Sequence, residues 1–152
     1  MTQNLAPFRI TTAPLDLQAV YDLAADPGNG SVNLMCGTVR NQTGKRPVDF
    51  LEYEAYEPMA LKVFAEIADQ IYQKWPETNR VVIHHRIGKL CLGEISVIVA
   101  VGSPHRKEGF EACQYAIDTL KYHAPVWKKE YWVDGSSEWG QVKSAGAMES
   151  NC

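Results

Sequence analysis

The 152-residue sequence contains no C-x-x-C pair, no G-x-G-x-x-G, no phosphate-binding P-loop and no G-x-S-x-G. Their absence removes dithiol redox, dinucleotide-binding, P-loop nucleotide and serine-hydrolase readings. No run approaches the ~18 consecutive apolar residues of a membrane span. The N-terminus lacks a charged-then-apolar signal pattern. Charge of one sign is also scarce: 15 basic against 18 acidic residues leave a net charge of −3. A general electrostatic footprint for nucleic acid is therefore missing, and any basic site must be local. The four cysteines, Cys36, Cys91, Cys113 and Cys152, are far apart in sequence. Cys36, Cys91 and Cys113 lie among apolar neighbours and are expected to act as small core residues. That usage fits a reduced, cytoplasmic setting. His84 and His85 are adjacent in a strand-like run, so they point to opposite faces. With His105 and His123 unpaired in sequence, no metal site is expected.

What is present fits one α+β domain, large enough for a real core. Residues 8–12 alternate and are β-rich, predicting a first strand. Asp16 precedes apolar residues at helical spacing, which predicts a capped helix. Strands are expected over 31–40 and 48–56, joined by NQTGKRP at 41–47, a polar and mobile loop. Pro58 opens a helix running to about residue 75, with Val63, Phe64, Ile67, Ala68, Ile71 and Tyr72 as its stripe, and Pro76 stops it. Strands follow at 81–87 and 94–102, with GKLCLG as a bent connection between them. The second is apolar almost throughout, which predicts a central strand covered on both faces. Ser103 and Pro104 offer a cap and a first-turn proline for a third helix carrying Phe110, Cys113, Ile117 and Leu120 inward. The last strand is 126–133. The segment from Gly135 onward is small and polar apart from Trp139, and is expected to be disordered or ordered only by a partner. The order β-α-β-β-α-β-β-α-β implies a mostly antiparallel sheet with about three helices. Residues 1–140 form the domain and 141–152 a polar tail.

The chemistry-bearing stretch is LKYHAPVWKKE at 120–130. Pro125 breaks the third helix because it lacks an N–H and disfavours the α region for the residue before it. Lys121 lies eleven positions after Phe110, only ~20° around the helix from it, so it shares the side assigned to Phe110. It is either a lysine snorkelling at the dipole's negative end or a partly desolvated reactive amine. Strand alternation sends Lys128 and Lys129 to opposite faces and leaves open which one looks toward Lys121.

At the other end of that helix, SPHRKEGF places His105 and Arg106 beside free backbone N–H groups, an arrangement that binds anions. Arg106 opposes the helix dipole there, and a solvated basic turn is the alternative reading. Arg40 ends the GTVR strand where it feeds the polar loop; it is a site candidate or an edge arginine. Glu52 and Glu54 share a strand face, where pairing with a basic neighbour is the ordinary use. Arg106 and Lys121 are fifteen residues apart, roughly 22 Å along one helix. A small ligand cannot touch both, so there are either two sites or, as favoured here, one pocket shared across a symmetric dimer.

Five motifs occur in order: GTVR with its polar loop, LEYEAYEPMA, HHRIGKLCLGE, SPHRKEGFEA and LKYHAPVWKKE. Together, over about residues 31–140, they resemble the large, catalytic subunit of molybdopterin synthase, the MoaE family. The resemblance implies an α/β hammerhead fold and a central homodimer with a small ubiquitin-like sulfur carrier (MoaD-like) at each end, a heterotetramer. It implies dithiolene formation on cyclic pyranopterin monophosphate, a sulfurtransferase reaction of molybdenum cofactor biosynthesis. Two sulfurs would come from the carrier's C-terminal thiocarboxylate, with no cofactor in this chain. Carried over residue by residue, it implies substrate contacts from Thr38, Val39, Arg40, His105, Arg106, Lys121, Lys128, Lys129 and Glu130, with Lys121 and Lys128 catalytic. The resemblance is also what favours Lys128 over Lys129. Many members carry a basic residue where Thr38 stands, leaving backbone contact at that position. The tail SAGAMESNC lacks an arginine that some members offer a neighbouring pocket. A competing reading is a non-catalytic adaptor for a ubiquitin-like partner. A nucleic-acid module fits poorly with the acidic balance.

Overall fold

The computed structural model describes residues 5–140. The elements are β1 (Phe8–Thr11), α1 (Leu17–Ala24), β2 (Ser31–Thr38), β3 (Gln42–Thr43), β4 (Arg46–Ala55), α2 (Glu57–Lys74), β5 (Arg80–Arg86), β6 (Gly88–Cys91), β7 (Ile95–Ser103), α3 (Arg106–His123), β8 (Val126–Trp132) and β9 (Ser137–Trp139). The chain is α+β. It builds two sheets rather than one: β1-β5-β7-β2, and β3-β4-β8-β9 with β6 also on β4. Every pairing is antiparallel except β1 on β5.

The apolar run of β7 sits centrally and is covered on both faces, as its composition predicts. Val97, Val99 and Val101 join Phe64, Ile67 and Ile71 of α2 and Ala112, Ala116 and Ile117 of α3 in the main core. Ile98 and Ala100 face Val20 and Ala24 of α1 on the other side. This is the period of two that strand geometry imposes. Asp16 caps α1 by accepting from the Ala19 N–H at 3.1 Å. Pro58 lies in the first turn of α2, and the helix ends at Lys74, two residues before Pro76.

Several local expectations are revised. α3 has His105, not Ser103, as its N-cap, with no side-chain capping bond. Its buried stripe is Gly109, Ala112, Cys113, Ala116, Ile117 and Leu120, four of them small enough to let the helix approach the sheet closely. A Cβ at Gly109 would lie 2.2 Å from Asn33 Oδ1. Phe110, expected inward, is 64% exposed. Tyr72 is exposed rather than part of the α2 stripe. The GKLCLG connection contains strand β6, and Cys91 is exposed there rather than in a core. Residues 137–139 form β9 against β8 within the chain, so a partner is not required to order them. The expected tail at 141–152 lies outside the described residues.

The NQTGKRP segment, expected as a loop, is a hairpin. Gln42 pairs with Pro47 and Thr43 with Arg46 across a two-residue turn, with a positive φ of 61° at Gly44. Glycine at the first central position is what a type II′ turn requires. Arg46 then ties the hairpin to the far end of the sheet. Its Nη2 donates to Ser136 Oγ at 2.8 Å, its guanidinium reaches Asp134 and Glu138 at 3.4 Å, and its Cζ lies 4.2 Å from the Trp132 ring centroid.

Candidate active site

The site is built where α3 turns into β8. Leu120 O accepts from the Ala124 N–H and closes the last helical turn, after which Pro125 prevents continuation. The Pro125 carbonyl instead accepts from the Tyr56 N–H at 3.1 Å, fixing the corner against the start of α2. Strand β8 then runs antiparallel to β4, placing Lys128 opposite Tyr53 and Glu130 opposite Leu51. Leu51 and Tyr53 belong to the buried cluster with Val39, Val48, Leu90 and Trp132.

Lys128 and Glu130 therefore share the inner face. Lys128 Nζ lies 3.2 Å from Glu130 Oε1, with side chains only 13% and 6% exposed. A desolvated pair of this kind is costly to break from one side, because the survivor becomes a buried unpaired charge. The same Oε1 accepts from Thr43 Oγ1 at 3.2 Å. The backbone of Gly140 crosses the other side of Lys128, its N–H donating to the Lys128 carbonyl at 2.6 Å.

Lys129 points the opposite way. Its Nζ lies 5.1 Å from the Tyr131 ring centroid and 5.4 Å from that of Trp139, and Tyr131 stacks on Phe50 with centroids 4.3 Å apart. Alternation thus separates the two lysines as expected, and the buried carboxylate identifies Lys128 as the inner one.

Lys121 lies in the last turn of α3, where the helix dipole favours a cation. Like Phe110 it is exposed, so the phase argument needs correcting. The buried stripe is centred ~90° from Phe110, and both residues sit on its rim rather than at its centre. The position leaves Lys121 exposed in the last turn before the corner that leads to Lys128.

His105 and Arg106 are exposed at the opposite end of α3. The helix spans 18 residues, so this end cannot join Lys121 around one small ligand within a chain. Thr38 and Arg40 are exposed at the end of β2. Val39 between them is buried, and its backbone is already used: its N–H donates to Glu94 O and its carbonyl accepts from Gly93 N–H. Val39 thus packs in the buried cluster between two exposed candidates.

His84 and His85 serve as structural groups. His84 Nε2 donates to the Ala6 carbonyl, and burial lowers its pKa. His85 Nδ1 donates to the Arg86 carbonyl at 2.8 Å, while its ring meets Tyr53 edge-on with centroids 5.1 Å apart. Complete burial pushes its pKa down to about 4, against a smaller upward effect of that hydrogen bond. The Cys113 thiol is pushed up to about 11, chiefly by burial, which disfavours the nucleophilic thiolate. An apolar cleft of about 280 Å³, lined by Pro7, Phe8, Leu23, Ala68, Tyr72 and Val82 among others, holds none of the candidate residues.

Sequence reasoning missed Thr43 and Tyr53. The signal for Thr43 was available in the T-G-K-R spacing of a two-residue hairpin. Tyr53 was readable only as an inner residue of an alternating strand.

The family model described as "MoaE protein" matches residues 10–123. The chain is 59% identical over 145 residues to the molybdopterin synthase catalytic subunit of Nostoc sp., covering 95% of this chain and 88% of that one. It is 46% identical over 129 residues to the protein of the same name from Halalkalibacterium halodurans, covering 84% and 81%. Among solved structures, molybdopterin synthase from Staphylococcus aureus superimposes with a TM-score of 0.86 at 40% identity, covering 91% of this chain and 99% of that one. A complex of subunits 1 and 2 of molybdopterin-converting factor from Helicobacter pylori shares the fold at 20% identity and a TM-score of 0.75, covering 95% and 100%. On the family match and these identities, the chain belongs to the MoaE family.

Proposed function

We propose that this chain is the catalytic subunit of a molybdopterin synthase. It converts cyclic pyranopterin monophosphate to the dithiolene with two sulfurs from a small carrier's C-terminal thiocarboxylate. The observation that carries this reading is the cationic corner. An exposed Lys121 ends α3, and a carboxylate-held Lys128 begins the next strand, in a chain 59% identical to a protein named for that role.

Each sulfur transfer forms a C–S bond to the pterin side chain, from which an oxygen leaves as water, and cleaves the carrier's acyl C–S bond, the acyl group passing to water or to an amine. Both events need protons moved and negative charge stabilised. Lys121, facing outward, meets the thiocarboxylate and acts either as an acid/base or by trapping the carrier carbonyl as an amide. Lys128 stabilises developing negative charge while Glu130 holds its ammonium in place. Arg40 faces the substrate from the end of β2. The carrier's extended tail is ordered by pairing with a strand edge.

His105 and Arg106 hold the substrate phosphate through the helix N-terminus and a guanidinium fork. Because they are a helix length from Lys121, they serve the pocket of a second copy, giving a homodimer with a carrier at each end. Mixing Lys121→Ala chains with Arg106→Ala chains tests this. A hybrid dimer that recovers activity supports the shared pocket, and a mixture as inactive as each variant alone rejects it.

Lys121→Ala separates catalysis from docking. Lost turnover with retained carrier binding supports the enzyme, while lost binding alone identifies an adaptor. Three unpaired cysteines, Cys36, Cys91 and Cys113, accord with a reduced, cytoplasmic setting.

A further inference from the structure

The arm of the site to which the sequence motifs assign no candidate side chain is the β3–β4 hairpin. We infer that Thr43 is a positioning residue for Lys128, acting through Glu130. The inference deepens the functional reading above and rests on it.

An ammonium on a four-carbon stem has no preferred direction of its own. Lys128 acquires one from Glu130 Oε1, 3.2 Å away. That carboxylate projects from the same strand two residues on, so its own side-chain rotation must also be fixed. Thr43 Oγ1 supplies the constraint by donating to the same oxygen at 3.2 Å. One oxygen thus holds both the lysine and the hydroxyl.

The hydroxyl comes from a rigid support. The hairpin turn is set by Gly44, and Val48 N–H donates to Asn41 O at 2.9 Å across its base. Arg46, cross-strand partner of Thr43, anchors the arm to Ser136, Asp134 and Glu138 and lies over Trp132. The support is therefore fastened to the end of β8 and to the turn beyond it, the same strand that carries Lys128. Groups that orient a reacting side chain from behind commonly set its efficiency without touching substrate.

The test compares Thr43→Val, which keeps the shape and loses the donor, with Thr43→Ser, which keeps the donor. Full-length protein labelled with ¹³C,¹⁵N-lysine is used, with the Lys128 signal assigned through Lys128→Arg. Turnover is measured with thiocarboxylated carrier and pyranopterin substrate. In Thr43→Val, kcat falls about tenfold, as loss of a hydrogen bond to a charged group implies, with KM within about twofold. The Lys128 Cε and Nζ signals shift or broaden in the same variant. Thr43→Ser restores both. An unchanged Lys128 signal in Thr43→Val, an unchanged kcat, or a Thr43→Ser variant as impaired as Thr43→Val each overturns the inference. If wild-type protein makes no dithiolene, the functional reading fails by itself, and an unchanged Lys128 signal in Thr43→Val would separately refute the positioning role.

Discussion

His85 makes the stability of this fold pH-sensitive in a defined window. The imidazole is buried at the junction of the two sheets, against the Tyr53 ring, and its Nδ1–H is committed to the Arg86 carbonyl. Its pKa is lowered from 6.5 to about 4, with desolvation as the leading cause. On lowering the pH, the unfolded chain takes up a proton near 6.5, whereas the folded chain resists until about 4. The unfolded state thus binds more protons throughout that window, and stability falls with pH across it. Above about pH 6.5 this group has no further effect. That drop from 6.5 to about 4 corresponds to about 3 kcal/mol between pH 7 and pH 4. His84, whose pKa is also lowered, adds in the same direction. Urea denaturation of wild type and His85→Phe at both pH values measures the effect. Phenylalanine keeps an aromatic ring and removes the titration, and the orphaned Arg86 carbonyl contributes a pH-independent offset. The loss on acidification is expected to shrink by about 3 kcal/mol in the variant. Equal losses in the two proteins would refute the reasoning, as would an NMR titration placing His85 near 6.5.

Glu130→Ala leaves the Lys128 ammonium, only 13% exposed, without its carboxylate. A loss of about 3 kcal/mol is expected by urea denaturation, whereas Lys128→Met with Glu130→Leu is expected to be near neutral. Gly102→Ala would set a Cβ 2.2 Å from the Ala24 carbonyl and 2.5 Å from Asn29 Nδ2. Pushing back the end of α1 costs about 3 kcal/mol, read in a thermal melt as a fall of roughly 10 °C. Replacing all four cysteines by alanine is expected to leave sulfur transfer intact, because the proposed function puts the sulfur on the carrier. A folded four-alanine variant without activity would count against that.

Strand periodicity made the inner and outer faces of β8 legible, and with them the separation of Lys128 from Lys129. The length of α3 was equally plain, and by itself it separates His105 and Arg106 from Lys121. Phe110 misled because one large apolar residue was given more weight than the glycine and alanines beside it. Close helix–sheet packing selects small residues such as Gly109, Ala112 and Ala116, so that part of the α3 stripe carries little hydrophobic signal. The hairpin at 42–47 escaped notice because β3 has only two residues, and its order derives from Arg46 reaching residues about 90 positions away. Strand β6 was obscured similarly, since its pairing with β4 is a long-range fact. Thr43 follows from the hairpin and could not be valued without it.

The most direct measurement mixes this protein with a thiocarboxylated carrier and cyclic pyranopterin monophosphate and reads the product by mass. Wild type should yield a dithiolene carrying two sulfurs, and Lys121→Ala none while still binding the carrier. The central claim would be contradicted by wild-type protein that forms a carrier complex and yields no dithiolene, or by full turnover in Lys121→Ala.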